Sequence, residues 1–283
     1  MLIAEVNGSR CKATKGAKGI CPYCKSEVIA KCGEQKIAHW AHKSNKVCDT
    51  WHDKETEWHL MWKNYFPETW QEIIKYDSGT GEKHIADVCT ENGFTLEFQH
   101  SAIKPEERQS REAFYKNMNW VVDCTRLKND FNRFKKIINN ISIARELVPI
   151  SLPIQNQGNI KIGSIVEINY AEDIFPKNWL NSSVPVVFDF KGLNQLENQD
   201  IRHYIFCLLP KENTSSQRYA IQIPIPIFVE NAKTGSWELF VNTCINELKK
   251  VIESKNKLSQ TQYGITNILP RSRYSYYRKR RRF

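Results

Sequence analysis

The sequence lacks a long hydrophobic run. Its first residues, MLIAEVNGSRCK, contain no apolar stretch of signal-peptide length, and the most apolar later stretch, IQIPIPIFV, is short and interrupted by prolines. We therefore expect a cytoplasmic protein that does not cross a membrane. With 283 residues, of which 41% are hydrophobic and 25% charged, the chain is long and apolar enough to bury the core of one large or two ordinary domains.

An even number of cysteines, as in a framework of paired disulfides, is also missing. The chain has nine cysteines and no export signal, which indicates reduced thiols or metal ligands. The stretch CPYC places the two thiolates of Cys21 and Cys24 on one tetrahedral ion, and a second pair further along can complete the ligand shell. Residues 1–50 are therefore predicted to form a zinc-ribbon-like module with a structural Zn²⁺.

The second half of this zinc site has two interpretations. The stretch AHWAH supplies His39 and His42, and Cys48 follows. A strand through both histidines would point their side chains to opposite faces, in which case Cys48 replaces His39. We keep His39 and Cys48 as alternatives beside Cys21, Cys24 and His42.

Acidic residues are absent from the last segment, RSRYSYYRKRRRF. Residues 271–283 carry seven Arg or Lys, so that of the net charge of +10 only +3 belongs to the rest of the chain. Such a segment suits nucleic acid, because cations displace counterions from phosphates while aromatic rings stack on bases. A solvated tail is the alternative interpretation.

The middle of the chain predicts a helix, three strands, a helix and a strand. The first helix follows Asp53, with apolar residues at helical spacing, and ends at Pro67. The strands are expected in WQEIIKY, EKHIADVCT and FTLEFQHS, the second helix in KPEERQSREAFYKNM, and the last strand in NWVVDC.

After residue 146, strands and one amphipathic helix are expected. The strands are VEINY, PVVFDF, HYIFCLL and RYAIQI, and the helix is WELFVNTCINELKKVIESK. The predicted fold class is α/β (α+β). Residues 51–145 form its core, and residues 146–283 form an α/β extension that ends in the basic aromatic tail.

Three polar residues of the first helix share one stripe. Glu55, His59 and Lys63 are spaced at i, i+4 and i+8, on the polar side of a helix whose other side is apolar. All three can therefore face one site. An exposed stripe of charges is the alternative.

The hairpin ADVCTENGFTLEFQHS is read from its alternation of apolar and polar residues. A two-residue loop at Asn92-Gly93 would set core residues opposite Glu97, so we predict a three-residue loop with Gly93 in the left-handed conformation. This register makes three pairs: Val88 with Leu96, Ala86 with Phe98, and Asp87 with Glu97. Gln99 lies on the face of Glu97. The opposed carboxylates repel, at a cost of up to about 1 kcal/mol, unless a cation lies between them.

In this order, the motifs resemble a known family. The stretches HWAH, E-x3-H-x3-K, ADV and LEFQHS, with the R-x3-Y of Arg111 and Tyr115, are similar to the competence protein CoiA-like nucleases of the PD-(D/E)XK superfamily. The resemblance covers residues 20–125. It implies that residues 51–145 are a PD-(D/E)XK nuclease core with a mixed sheet flanked by helices, and that this core hydrolyses DNA with Mg²⁺ or Mn²⁺.

The resemblance also implies roles for individual residues. Glu55, Asp87 and Glu97 would hold the metal, with the Phe98 carbonyl as a further ligand. Gln99 stands where the superfamily has lysine, and its neutral amide can orient a water molecule. The predicted catalytic residues are Glu55, Asp87, Glu97 and Gln99, and the predicted phosphate contacts are His59, Lys63, His84 and Arg111.

Two other functions compete with this one. The first is a non-catalytic DNA-binding scaffold that has a degenerate nuclease fold and is held to DNA by the zinc module and the tail. The second is an RNA-processing enzyme, and only the family resemblance disfavours it, because neither the tail nor the acids distinguish RNA from DNA.

If the tail binds phosphates, removal of residues 271–283 should weaken binding to DNA of unrelated sequences equally. Each phosphate contact that is lost should flatten the dependence of log affinity on log salt by about one unit. Fluorescence anisotropy at several KCl concentrations measures this slope, with a tail in which glutamines replace the cations as the matched variant. A slope that stays the same after deletion would contradict the prediction.

Overall fold

The computed structural model describes most of the chain. The described residues are 1–34, 36–43, 48–51, 55–126, 131–132, 134–135, 140, 144–154, 158–191, 204–211 and 217–266, with side chains described up to 257. The predicted basic tail, residues 271–283, lies outside them. Within the described residues, no helix is long and apolar enough to span a membrane.

The N-terminal part is an antiparallel sheet of five strands in the order β2-β1-β3-β4-β5. The strands are β1 (Ile3–Val6), β2 (Ser9–Lys12), β3 (Lys18–Ile20), β4 (Glu27–Lys31) and β5 (His39–His42). Its buried core consists of Ala4, Cys21, Val28 and Trp40. A core of this size stabilises the sheet only a little. The sheet therefore depends on contacts with the rest of the chain and would gain stability from a bound metal.

The rest of the chain is built on one mixed sheet of nine strands, in the order β10-β11-β14-β13-β12-β9-β8-β7-β6. The strands are β6 (Gln71–Tyr76), β7 (Lys83–Cys89), β8 (Thr95–Gln99), β9 (Met118–Asp123), β10 (Ala144–Ile154), β11 (Gly158–Ile168), β12 (Val186–Asp189), β13 (Tyr204–Leu208) and β14 (Arg218–Pro224). Strands β8, β9 and β12 are parallel to one another. The strands after residue 146 therefore continue the sheet of the preceding region.

Five helices whose full extent lies within the described residues accompany this sheet: α1 (Glu57–Lys63), α2 (Pro105–Tyr115), α3 (Ala171–Ile174), α4 (Ile225–Thr234) and α5 (Trp237–Thr266). Short 3-10 turns span Glu68–Trp70 and Lys177–Trp179. The predicted order of helix, three strands, helix and strand is confirmed, and the fold is mixed α+β with a sheet flanked by helices. One buried cluster packs α1, α4 and α5 on one face of the sheet, and a second covers the other face.

The first helix is shorter than its pattern predicted. It starts at Glu57, because the Thr56 side chain accepts a hydrogen bond from the His59 amide and caps the helix. Glu55 therefore precedes the helix, and the prediction that it lies on the helix is wrong. The predicted stripe is also buried at His59 and Lys63 rather than exposed.

The hairpin between β7 and β8 has the predicted three-residue loop. Val88 pairs with Leu96, the Thr90 amide donates to the Phe94 carbonyl at 2.9 Å, and Gly93 has a φ of 76°. The predicted pairings of Asp87 with Glu97 and of Ala86 with Phe98 are wrong, because the ladder pairs only Val88 with Leu96 and Cys89 with Thr95. The strands part beyond Val88, and the Phe98 amide donates instead to Asp87 Oδ2 at 2.9 Å.

The positive φ of Gly93 predicts that substitutions at this residue lower the free energy of unfolding. Gly93→Ala should lower the free energy of unfolding by about 1–2 kcal/mol, because a side chain disfavours the left-handed region, and Gly93→Asn should cost less. No atom lies within 4 Å of a Cβ placed at Gly93, so the effect isolates backbone strain. Chemical denaturation measures it.

Gly33→Ala is the matched control, because Gly33 has equally open surroundings and no positive φ. Equal effects of Gly93→Ala and Gly33→Ala on the free energy of unfolding would contradict the prediction.

Candidate functional site

A buried lysine on α1 lies among three carboxylates. Lys63 Nζ is 3.0 Å from Glu55 Oε2, 3.2 Å from Asp87 Oδ1 and 3.5 Å from Glu72 Oε1. The Lys63 side chain is 1% exposed. Burial alone would lower the pKa of Lys63, but the carboxylates around it outweigh burial and raise this pKa. The site therefore contains a permanent cation of its own.

The second cation of the site comes from α2. Arg111 Nη1 lies 3.1 Å from Glu97 Oε2, and the Asp87 amide lies 3.3 Å from Glu97 Oε1. Burial, and then the nearby Asp87 carboxylate, raise the pKa of Glu97 to about 8. Burial would also raise the pKa of Asp87, but Lys63 and His59 outweigh it and lower this pKa. Asp87 and Glu97 are thus neighbours, and each contacts a cation.

The predicted acids fit a hard divalent cation in donor type and charge. Glu55 Oε1 is buried and has no hydrogen-bond partner, and each engaged carboxylate oxygen keeps a second lone pair. Burial raises the pKa of Glu55 to about 7. Lys63 lies between Glu55 and Asp87, and within the described residues these acids do not bring three ligand atoms within 4.8 Å of one another.

His59 and Gln99 are held by hydrogen bonds beside these acids. His59 Nε2 donates to the Phe98 carbonyl at 3.0 Å, while its Nδ1 accepts from the Thr56 hydroxyl at 2.7 Å. The carbonyl predicted as a metal ligand is therefore oriented by His59. Gln99 Nε2 donates to the Ser101 carbonyl at 3.1 Å.

Two further residues singled out in the sequence are His84 and Tyr115. Both nitrogens of His84 contact carboxylates, with Nδ1 3.0 Å from Asp49 Oδ1 and Nε2 2.9 Å from Glu82 Oε1. The His84 ring stacks on Trp51. Both ring nitrogens of His84, a predicted phosphate contact, therefore already contact carboxylates. Tyr115 is buried in the core of this face.

Three residues that the sequence analysis missed join the N-terminal sheet to this site. Glu72 accepts from the amides of Leu2 at 2.7 Å and Ile3 at 2.9 Å, and it also contacts Lys63. Asp49 Oδ2 accepts from the Ile85 amide at 2.8 Å. The Trp51 carbonyl accepts from Arg111 Nη2 at 2.6 Å. No local pattern marks these residues, apart from the position of Asp49 directly after Cys48.

Four of the five predicted zinc ligands lie close together. Ligand atoms of Cys21, Cys24, His42 and Cys48 lie within 4.8 Å of one another, with Cys24 Sγ 3.2 Å from His42 Nε2. Cys48 is thus the fourth member, and His39 lies outside the group, with Nδ1 2.8 Å from the Ile37 carbonyl. The reason is the predicted one, because His39 and His42 lie in strand β5 and point to opposite faces.

The thiols of this group fit a soft divalent cation. The pKa of Cys24 falls to about 6 despite burial, because hydrogen bonds from Ser26 and His42 stabilise its thiolate. Burial and the neighbouring Cys21 raise the pKa of Cys48 to about 12. Three thiols and an imidazole are a common donor set for structural zinc, whose charge allows all three thiols to ionise. This set can therefore hold a structural zinc ion.

The two histidines of β5 provide a matched test of the zinc site. His42→Ala should lower the zinc content from about one ion per chain, because it removes one of four ligands, whereas His39→Ala should retain zinc. Elemental analysis of the freshly purified full chain measures both. Loss of zinc in both variants, or in neither, would contradict this ligand set.

Two comparisons bear on the family. Residues 5–50 match the family model of the competence protein CoiA, N-terminal domain. The competence protein CoiA of Bacillus subtilis (strain 168) is 28% identical over 153 residues, which are 47% of this chain and 40% of that protein. The chain thus spans less than half the length of this relative. No solved structure matches the chain. The resemblance to the CoiA-like family, first read from the motifs, is confirmed by both matches.

Proposed function

We propose that this chain is a metal-dependent nuclease that hydrolyses phosphodiester bonds of DNA, with a core of the PD-(D/E)XK type. The observation that carries the proposal is the convergence of Glu55, Asp87 and Glu97 beside Lys63 and Arg111. These residues come from the segment before α1, from α1 itself, from both strands of the hairpin, and from α2. Acids that can hold a divalent metal, with cations nearby, suit the hydrolysis of a phosphodiester.

The balance of charge supports a divalent metal at this place. When ionised, Glu55, Glu72, Asp87 and Glu97 carry four negative charges beside the two positive charges of Lys63 and Arg111, and Arg111 also contacts a fifth acid, Glu107. The raised pKa values of Glu55 and Glu97 reflect burial and this excess of negative charge. A divalent cation supplies the missing charge, and the cluster would then hold all four acids ionised.

The residues of the chain divide the work. Asp87, Glu97 and Glu55 would hold Mg²⁺ or Mn²⁺, which supplies an activated water and stabilises the charge that develops on the phosphate. His59 orients the Phe98 carbonyl towards its position beside the acids. Gln99, held by the Ser101 carbonyl, orients a water molecule through its amide. Lys63 and Arg111 offset the charge of the acids and thereby lower the repulsion of a phosphate.

The biological setting follows from the relative. That protein is named a competence protein, so we propose that this chain processes DNA during transformation or recombination. Defence against phage is the other setting in which a DNA nuclease of this kind would act.

A second candidate function is a non-catalytic DNA-binding scaffold. Lys63 favours it, because an ammonium 3.0 Å from Glu55 and 3.2 Å from Asp87 already occupies part of the space between the acids. In such a protein the lysine would replace the metal, and the cluster would only stabilise the fold. Cleavage by purified protein distinguishes the two functions.

The nuclease proposal predicts that Asp87→Asn and Glu97→Gln separate cleavage from binding. Each substitution removes an anionic metal ligand, so Mg²⁺-dependent cleavage should fall by at least about a hundredfold. Each also removes a negative charge, so DNA binding should be unchanged or tighter. Cleavage of labelled DNA and anisotropy without added metal measure the two properties.

Glu106→Gln is the matched control, because Glu106 is an exposed acid in the first turn of α2. It should cleave as well as the parent. If Asp87→Asn cleaves as fast as the parent with Mg²⁺ and with Mn²⁺, the hairpin is not the metal site, whereas a parent that does not cleave DNA with either metal would favour the scaffold function.

A further inference from the structure

A cavity of about 380 Å³ opens where the three parallel strands end. His100 follows β8, Asp123 ends β9, and Phe190 lies just after β12; all three line the cavity. Ligands of open sheets bind outside the carboxyl ends of parallel strands, and this volume lies in the range of small-molecule pockets. The position and the size of the cavity therefore suit a ligand of about one nucleotide.

One wall of the cavity is a histidine held by a buried acid. His100 Nδ1 lies 2.7 Å from Asp123 Oδ2, and the Asp123 side chain is 2% exposed. The other oxygen of Asp123 accepts from the amide and the hydroxyl of Thr125. Because an ionised carboxylate only accepts, His100 Nδ1 carries the proton. Among the described residues His100 Nε2 has no hydrogen-bond partner, and this atom remains for a polar group of the ligand.

The other walls combine buried apolar surface with exposed cations. Ile103 and Trp179 line the cavity and are buried, whereas Arg126 and Lys177 are exposed at its edge. Within the part of the chain that the structure describes, neither cation forms an ion pair. An apolar slot beside a fixed imidazole suits a nucleobase, and exposed cations suit its phosphate.

The cavity adjoins the proposed nuclease site. Gln99 donates to the carbonyl of Ser101, which lines the cavity, and the ring of His100 lies 6.1 Å from that of His59. A DNA strand whose phosphodiester lies beside Asp87 and Glu97 would therefore have a neighbouring nucleotide within reach of the cavity.

We propose that the cavity binds one unpaired nucleotide of the DNA strand, with the base in the apolar slot against His100 and a phosphate at Arg126 and Lys177. This inference rests on the proposed nuclease function and narrows its substrate to DNA that offers an unpaired nucleotide, such as a single strand or an overhang. A free nucleoside monophosphate has the same chemistry, and the experiment distinguishes it.

The test measures binding of full-length protein without added divalent metal, so that no cleavage occurs. The parent should bind a duplex with a single-stranded overhang more tightly than a blunt duplex. Lys177→Ala and His100→Ala should weaken overhang binding by about tenfold, the equivalent of one charge-assisted contact, and leave blunt-duplex binding unchanged. Lys161→Ala, at an exposed lysine of β11, is the matched control and should behave as the parent.

Two results would overturn the inference. One is equal overhang binding by Lys177→Ala and the parent; Lys177 is exposed, so this variant does not depend on repacking a core. The other is binding of deoxyadenosine 5′-monophosphate that Lys177→Ala abolishes, in a parent without preference for overhangs, since the cavity would then hold a free nucleotide. If overhang preference depends on Lys177 but no metal supports cleavage, the nuclease proposal alone fails.

Discussion

The buried ammonium of Lys63 is the interaction on which the rest of the site depends. A charge taken out of water is tolerated only where opposite charges and hydrogen bonds compensate it, and removal of one partner is strongly destabilising. Its partners Glu55, Glu72 and Asp87 come from the segment before α1, from β6 and from β7. Because Glu72 also accepts from the amides of Leu2, directly before β1, and of Ile3, the first residue of β1, the same cluster fixes the N-terminal sheet against the mixed sheet.

A series of contacts also connects the group of Cys21, Cys24, His42 and Cys48 with Glu97, the other acid of the hairpin. Cys48 is followed by Asp49, which binds the β7 backbone, and then by Trp51, whose carbonyl accepts from Arg111. Arg111 in turn contacts Glu97. A metal bound by Cys48 and the other three ligands would therefore also restrain a short path to Glu97, and its binding energy would compensate for the small core of the N-terminal sheet.

The sequence could predict what depends on alternation, and little of what depends on distant partners. Period-two patterning determines the loop register at Gly93 and explains why His39 and His42 separate. It could not show that Lys63 is buried, because a polar helical face looks the same whether water or carboxylates cover it. Glu72 lies in an ordinary strand pattern, and its partners Leu2 and Ile3 are 70 and 69 residues away, so no local signal marks it.

The position of Lys63 explains why residue 99 can be a neutral glutamine. Gln99 follows Glu97 by two residues in β8, and the lysine that contacts Glu55 and Asp87 comes from α1. A second lysine at position 99 would add a third cation beside Lys63 and Arg111 and reduce the excess of negative charge. A cluster with less negative charge would attract a divalent metal less strongly. Lys63 and a neutral side chain at position 99 therefore form one electrostatic arrangement.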